Sequence, residues 1–208
     1  MSENRRLLSL NKNKNDIRNE ILKNIIKMFI NRDLLKAKEE TKNIEKLKKS
    51  KNENDEYNLV LDDKSKYIIK FLINKLTTIN KSSGILDFLD SNFENNFLLV
   101  VPDISSKIKK ELQNKYKKSE VFMENELLID LMSHILVPRQ YKLNVDTEKF
   151  LKARNSTKKN FPAIKLNDPM SRYLNLKEGD IIRIIRPSES SGQTVSYRIA
   201  TRGKMNKQ

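Results

Sequence analysis

Phe97-Leu98-Leu99-Val100-Val101-Pro102 is an unbroken apolar run of five residues closed by a proline. A strand with one wet face alternates, whereas a run without alternation needs cover on both faces, so this segment reads as the central strand of a layered α/β unit. The flanks support that reading. Ser105 or Ser106 offers a hydroxyl cap for a helix whose apolar face is Ile108, Leu112 and Tyr116, and Val121-Phe122-Met123 supplies a further strand. Upstream, Leu59-Val60-Leu61 and Tyr67-Ile68-Ile69 with Phe71-Leu72-Ile73 flank the turn-like Asp62-Asp63-Lys64-Ser65, which predicts a strand pair. Ser82-Ser83-Gly84 is placed to cap a short helix through Phe88 and Leu89. Residues 17–35 carry Ile17, Ile21, Ile25 and Met28 at helical spacing, widened by Leu22, Ile26 and Phe29. Residues 36–56 hold only Ile44 and Leu47 as apolar residues near their middle, which predicts a polar helix extension or a linker without chemistry.

Beyond Pro138 the pattern changes. Asp146 to Arg154 predicts a short helix, followed by a Lys158-Lys159-Asn160 loop. Asp168-Pro169 marks a helix start, with a carboxylate to cap the first amides and proline where its missing N–H costs nothing. That helix runs through Arg172 and Tyr173 and closes at Asn175, a residue suited to a left-handed cap. Ile181–Ile185 and Val195–Ile199 predict two strands joined by Pro187 through Gln193. The expected fold class is α+β, with an N-terminal α/β unit over 1–138 and a small β-rich unit over 139–208.

Composition narrows the function. The 208 residues include 42 Lys+Arg against 27 Asp+Glu, a net charge of +15, no cysteine, one histidine and four glycines. Absence of cysteine removes disulfides, thiolate metal sites and thiol nucleophiles, and the isolated glycines form no phosphate-cradling loop. No apolar run approaches the roughly 18 residues of a membrane span, and Met1 to Leu10 lacks an apolar core for a secretory signal. A soluble intracellular chain is expected, without cofactor, metal, membrane or small-molecule substrate. Residues 141–208 carry 15 basic and 6 acidic groups, so the excess charge is concentrated in the last third. It suits a phosphate-facing surface, and equally the Lys/Asn/Ile usage of an A/T-rich genome.

Motifs for catalysis are weak. His134 has no nucleophile partner in sequence and reads as a structural histidine at a domain junction. Pro102-Asp103 resembles the start of a magnesium-nuclease motif, but no Asp-x-Lys or Glu-x-Lys follows through residue 145, and Asp62-Asp63-Lys64 stands in the wrong order.

Five ordered segments carry a family resemblance: His134-Ile135-Leu136-Val137-Pro138; Asp168-Pro169-Met170-Ser171-Arg172-Tyr173; Leu176-Lys177-Glu178-Gly179; Ile184-Ile185-Arg186-Pro187-Ser188-Glu189; and Gly192 with Tyr197-Arg198. Together they resemble the C-terminal domain of RNA polymerase subunit 5, shared by the eukaryotic nuclear polymerases and present in large DNA viruses; the archaeal counterpart consists of that domain alone. The strand–turn–helix from Phe97 and the segment Glu126-Leu127-Leu128-Ile129 resemble that subunit's N-terminal jaw more loosely. Three positions depart from the family pattern: Ser105-Ser106 stands for Thr-Pro, Asn175 for glycine and Ala163 for a basic residue. The resemblance supplies no counterpart for residues 36–56.

The resemblance implies a non-catalytic subunit of a DNA-directed RNA polymerase. Its C-terminal unit would dock on the largest subunit through Asp168, Pro169, Arg172, Tyr173, Arg186, Pro187, Ser188, Glu189, Tyr197 and Arg198. Its jaw would bring Ser105, Ser106, Lys107, Lys109 and Lys110 beside downstream double-stranded DNA. Hydroxyls, helix N-terminal amides and lysines bind phosphate without reading bases, which suits that role. The resemblance implies a nuclear location for a cellular source, and a cytoplasmic factory or virion for a viral one. A free-standing basic nucleic-acid-binding protein is the alternative from charge alone.

Overall fold

A computed structural model describes residues 13–52, 54–79 and 85–203. The chain divides into two compact units, 1–129 and 130–208, so the division falls ahead of the expected 138/139 boundary.

In the first unit, α1 (Lys14–Asn31) and α2 (Glu40–Lys49) precede β1 (Glu56–Val60) and β2 (Lys66–Phe71). Then come α3 (Ile85–Ser91), β3 (Asn96–Val101), α4 (Ser106–Lys115), β4 (Ser119–Met123) and the single turn α5 (Glu124–Leu127). The sheet order is β1-β2-β3-β4, with β1 antiparallel to β2 and the other two pairs parallel.

Register explains the apolar run. Phe97, Leu99 and Val101 point to one face and pack with Ile85, Phe88, Leu89, Ile108, Leu112 and Tyr116 beneath α3 and α4. Leu98 and Val100 point the other way, level with Ile69 and Phe71, on the face where Tyr67 meets Phe29 of α1 ring to ring at 4.9 Å. All five residues from Phe97 to Val101 are fully buried, as a strand covered on both faces requires.

The expected strand pair forms, although β2 stops at Phe71 and leaves Ile73 71% exposed. Its turn is held by Lys64 in a left-handed conformation (φ 65°) and by Asp63, which accepts the Ser65 amide at 2.9 Å. The cap for α4 is Ser105, whose hydroxyl accepts the Ile108 amide. The Ser82-Ser83-Gly84 cap lies outside the described residues. One expectation needs correction: 36–56 is neither a mere extension of α1 nor a linker. Asp33 turns left-handed (φ 59°) just beyond α1, and α2 is a separate helix packed on α1 and β1, with Leu47 fully buried and Asn43 6% exposed.

The second unit contains β5 (Arg139–Leu143), α6 (Thr147–Lys152), β6 (Ala163–Lys165), α7 (Pro169–Tyr173), β7 (Ile181–Ser188) and β8 (Gly192–Thr201). Sheet order is β5-β7-β8-β6; β6 runs parallel to β8 and the other pairs are antiparallel. Both expected caps on α7 are present. Asp168 accepts the Met170 amide at 2.9 Å, and Asn175 sits at φ 49°. The amides of Asn175 and Leu176 return to the carbonyls of Arg172 and Ser171, satisfying the last carbonyls of the helix. Replacing Asp168 by alanine is therefore expected to cost about 1 kcal/mol, read as a small fall in melting temperature.

Helix α6 buries Leu151 against Ile181 and Ile199, with Leu143, Phe150, Phe161 and Tyr197 around them. A second correction concerns the connection between the long strands. Pro187 pairs with Gln193 and Ser188 with Gly192, so only Glu189, Ser190 and Ser191 form the turn, completed by Gly192 at φ 70°. Proline is tolerated there because β5 reaches only as far as Ile185, which makes β7 an edge strand at Pro187.

Candidate functional site

The candidate residues of the second unit fall in three places. Arg186, Pro187, Ser188 and Glu189 lie together at the free end of the β7–β8 ribbon, where Arg186, Pro187 and Glu189 are exposed. Tyr197 and Arg198 are adjacent on β8 and therefore face opposite sides of the sheet. Tyr197 packs edge-on against Phe150 at 5.1 Å, and the Arg154 guanidinium lies 3.8 Å from the Phe150 centroid and 4.7 Å from that of Tyr197. This cation–aromatic stack fixes α6 on the sheet. Arg198 stands across from Ile182.

Asp168 and Pro169 open α7, and Arg172 is half-buried on it. Tyr173 is 3% exposed and donates its hydroxyl to Asp130 at 3.4 Å, so it ties α7 to the start of the unit. His134 accepts the Leu136 amide on Nδ1 at 3.2 Å, which holds the His134–Pro138 segment in a turn.

Sequence reasoning missed a further surface. Register places Tyr141, Arg183 and Tyr197 in one cross-strand row, and Arg139, Ile185 and Val195 in the next row of the same face. Tyr141 is 44% and Val195 40% exposed, and Arg139 and Arg183 are exposed beside them. Ile135 and Leu136, 95% and 66% exposed, add apolar surface just before β5. The motif His134-Ile135-Leu136-Val137-Pro138 was a signal for the latter, since two large apolar residues in a polar turn have nothing local to cover them. Tyrosine and arginine on a rigid strand face are the residue types enriched at the centres of protein interfaces.

In the first unit, Ser106, Lys107 and Lys110 are exposed on the first turns of α4, with Ser105 and Lys109 half-buried. The Ser105 amide donates to Leu76, and Lys75 pairs with Asp103, so the entry to α4 is anchored on both sides. Hydroxyls, free first-turn amides and cations thus meet at one helix start, an arrangement that accepts phosphate oxygens. Among the described residues no group of three or more His, Asp or Glu could hold a metal ion, and no helix is long and apolar enough to cross a membrane.

Comparison with known proteins matches the second unit most specifically. The family profile described as RNA polymerase Rpb5, C-terminal domain, matches residues 129–200, which is nearly the whole second unit. DNA-directed RNA polymerase subunit 5 of Acanthamoeba polyphaga mimivirus is 32% identical over 205 residues, covering 96% of this chain and 99% of the relative. The subunit rpabc1 of DNA-directed RNA polymerases I, II and III from Dictyostelium discoideum is 38% identical over 88 residues, 42% of this chain and 45% of its own length. The Caenorhabditis elegans RPABC1 subunit is 37% identical over 81 residues, 38% of each chain. With a viral relative matched end to end and cellular relatives matched in part, this chain belongs to the RNA polymerase subunit 5 family.

Proposed function

We propose that the chain is a subunit, without an active site of its own, of a multisubunit DNA-directed RNA polymerase, and that it serves transcription by joining the largest subunit to a DNA-facing jaw. The observation that carries this reading is the likeness to the mimivirus subunit along nearly the full length of both chains. The second unit is the docking element. The row Tyr141–Arg183–Tyr197 and the free end of the β7–β8 ribbon are the contacts we assign to the largest subunit. Ser105, Ser106, Lys107, Lys109 and Lys110 face downstream DNA. Of the relatives described above, the viral one alone is matched end to end, which favours a viral polymerase acting in a cytoplasmic factory or carried in the virion over a nuclear one.

A tagged chain pulled down from its native source and washed at about half-molar salt tests the reading, because contacts to phosphate alone are largely lost there. Recovery of much larger chains with RNA-synthesising activity is the expected result. Recovery of the 24.4 kDa chain alone, binding nucleic acid only at low salt, would replace it with a free-standing nucleic-acid-binding protein. The docking row has its own test. The double variant Tyr141→Ala, Arg183→Ala is expected to lower polymerase recovery at least tenfold, about 1.4 kcal/mol, while the melting temperature stays within a few degrees of the parent's.

A further inference from the structure

Where α1 packs on α2, a cleft of about 340 Å³ opens between Asn15, Arg18 and Asn19 on one side and Lys48 and Lys51 on the other, floored in part by Tyr57. Its charges are incompletely matched. Arg18 donates to both oxygens of Asp55, at 3.0 and 3.1 Å, and Lys51 reaches the same carboxylate at 3.1 Å. One carboxylate therefore serves two cations. Glu124 lies within electrostatic reach of Arg18 and of Lys14, so among the described residues Arg18, Lys48 and Lys51 of the cleft are set against the carboxylates of Asp55 and Glu124. Lys48 is exposed and forms no ion pair among the described residues, and the carboxamides of Asn15 and Asn19 make no hydrogen bond there either.

We infer that this cleft is a second DNA-backbone site, in which Lys48, Lys51 and the two asparagine amides hold a phosphodiester group of duplex DNA. Three observations select that ligand. The groups lining the cleft are cations, of which Lys48 has no ion pair among the described residues, and carboxamides whose N–H groups can donate, and these match the non-bridging oxygens of a phosphate. The Arg18–Asp55–Lys51 pairing holds Lys51 at the rim, so binding orders few additional side chains. The cleft also offers no stacking platform, because its one aromatic residue, Tyr57, is 5% exposed, whereas single-stranded nucleic acid is held by bases stacked on exposed rings. The inference rests on the DNA-facing role proposed above and extends it to Asn15, Asn19, Lys48 and Lys51, the two lysines lying in the 36–56 stretch whose sequence suggested no chemistry. It assigns a contact separate from Lys107 and Lys110.

Fluorescence anisotropy with a labelled 20-base-pair duplex and the full chain at about 50 mM salt tests it. Lys48→Glu is expected to weaken binding about five- to tenfold and to lower the salt slope by about one. Lysine acetylation of the unmodified protein gives a second readout that needs no variant: duplex DNA should protect Lys48 and Lys51, and leave Lys46 on the other side of α2 labelled as before. Unchanged affinity and slope for Lys48→Glu, or equal labelling of Lys48 and Lys46 with DNA present, would overturn the inference. So would protection by inorganic phosphate alone, or by single-stranded RNA as strongly as by the duplex. Lys48→Glu should still co-purify with the large polymerase chains, so a failure here leaves the subunit reading standing, and a failure of co-purification leaves this site standing.

Discussion

Glu120→Ala is expected to destabilise the first unit by about 3–5 kcal/mol while leaving polymerase recovery through the second unit intact. Arg32, just past the end of α1, donates to both oxygens of Glu120 at 2.8 and 2.7 Å, and the two side chains are only 3% and 11% exposed. Glu120 lies on β4 beside Leu98, on the face covered by α1, so the pair fastens that helix to the far edge of the sheet. Tyr67 adds its hydroxyl to the same carboxylate at 3.2 Å. Removing the carboxylate strands a guanidinium in a nearly dry site, and that uncompensated charge is the larger part of the cost. The double variant Arg32→Met, Glu120→Leu should accordingly recover most of the loss, because it removes both charges together.

Tyr67 supplies an independent reporter. Burial first, and then the Glu120 charge, raise its phenol above the ordinary range for tyrosine. The folded state thus favours the neutral phenol. Its contribution is complete below about pH 10 and is lost as pH climbs toward the raised value. Phenolate absorbance in the Glu120→Gln variant should rise at lower pH than in the parent, while guanidinium titrations report the stability change directly.

Ile182→Ala is the complementary experiment, and its expected result is loss of the second unit and of the polymerase with it. Ile182 is fully buried on β7, between Lys142 of β5 and Arg198 of β8 in register. Truncating a buried isoleucine to alanine costs about 2–5 kcal/mol, through lost transfer energy and the cavity left behind. A unit of roughly 80 residues has only about 4–12 kcal/mol of total stability, so the loss is a large share of it. Thermal unfolding followed separately from co-purification distinguishes the two variants. Glu120→Ala should lower the first transition and keep the partner; Ile182→Ala should lower the other and lose it. Retention of the polymerase by an unfolded second unit would place the docking surface elsewhere.

These two sites also show where sequence was readable. Phe97–Val101 announced its burial because five apolar residues in a row have no wet face, and Asp168-Pro169 announced a helix start through side-chain chemistry that operates locally. Helix α2 was hidden because its contact with α1 needs little more than Leu47 and Asn43, too sparse a pattern to stand out among lysines. Strand β5 was hidden for a related reason: Arg139-Gln140-Tyr141-Lys142-Leu143 buries only Gln140, being an edge strand. The Arg32–Glu120 pair joins positions 88 apart in sequence and leaves no local trace. The residues proposed for docking divided the same way. Pro187 and Glu189 could be named from a motif, whereas the Tyr141–Arg183–Tyr197 row exists only through register. The basic cleft needed two helices to meet.

The β7–β8 ribbon has one more consequence, for the order in which the chain acquires structure. Its ladder grows from Ser188↔Gly192 outward to Ile181↔Ile199, so each new pair closes a loop only slightly larger than the last. The central pairing of the first unit starts from Tyr67↔Asn96, and the whole intervening crossover must be confined before any contact rewards it. Although it follows the first unit in the chain, the ribbon meets a lower entropic barrier than that central pairing. The ribbon that carries Arg183, Arg186, Glu189 and Tyr197 is therefore a locally closing element, whereas Tyr141 joins its row only when β5 pairs with β7 and the long segment between Leu143 and Ile181 is confined. The ribbon end is complete before the row proposed for docking.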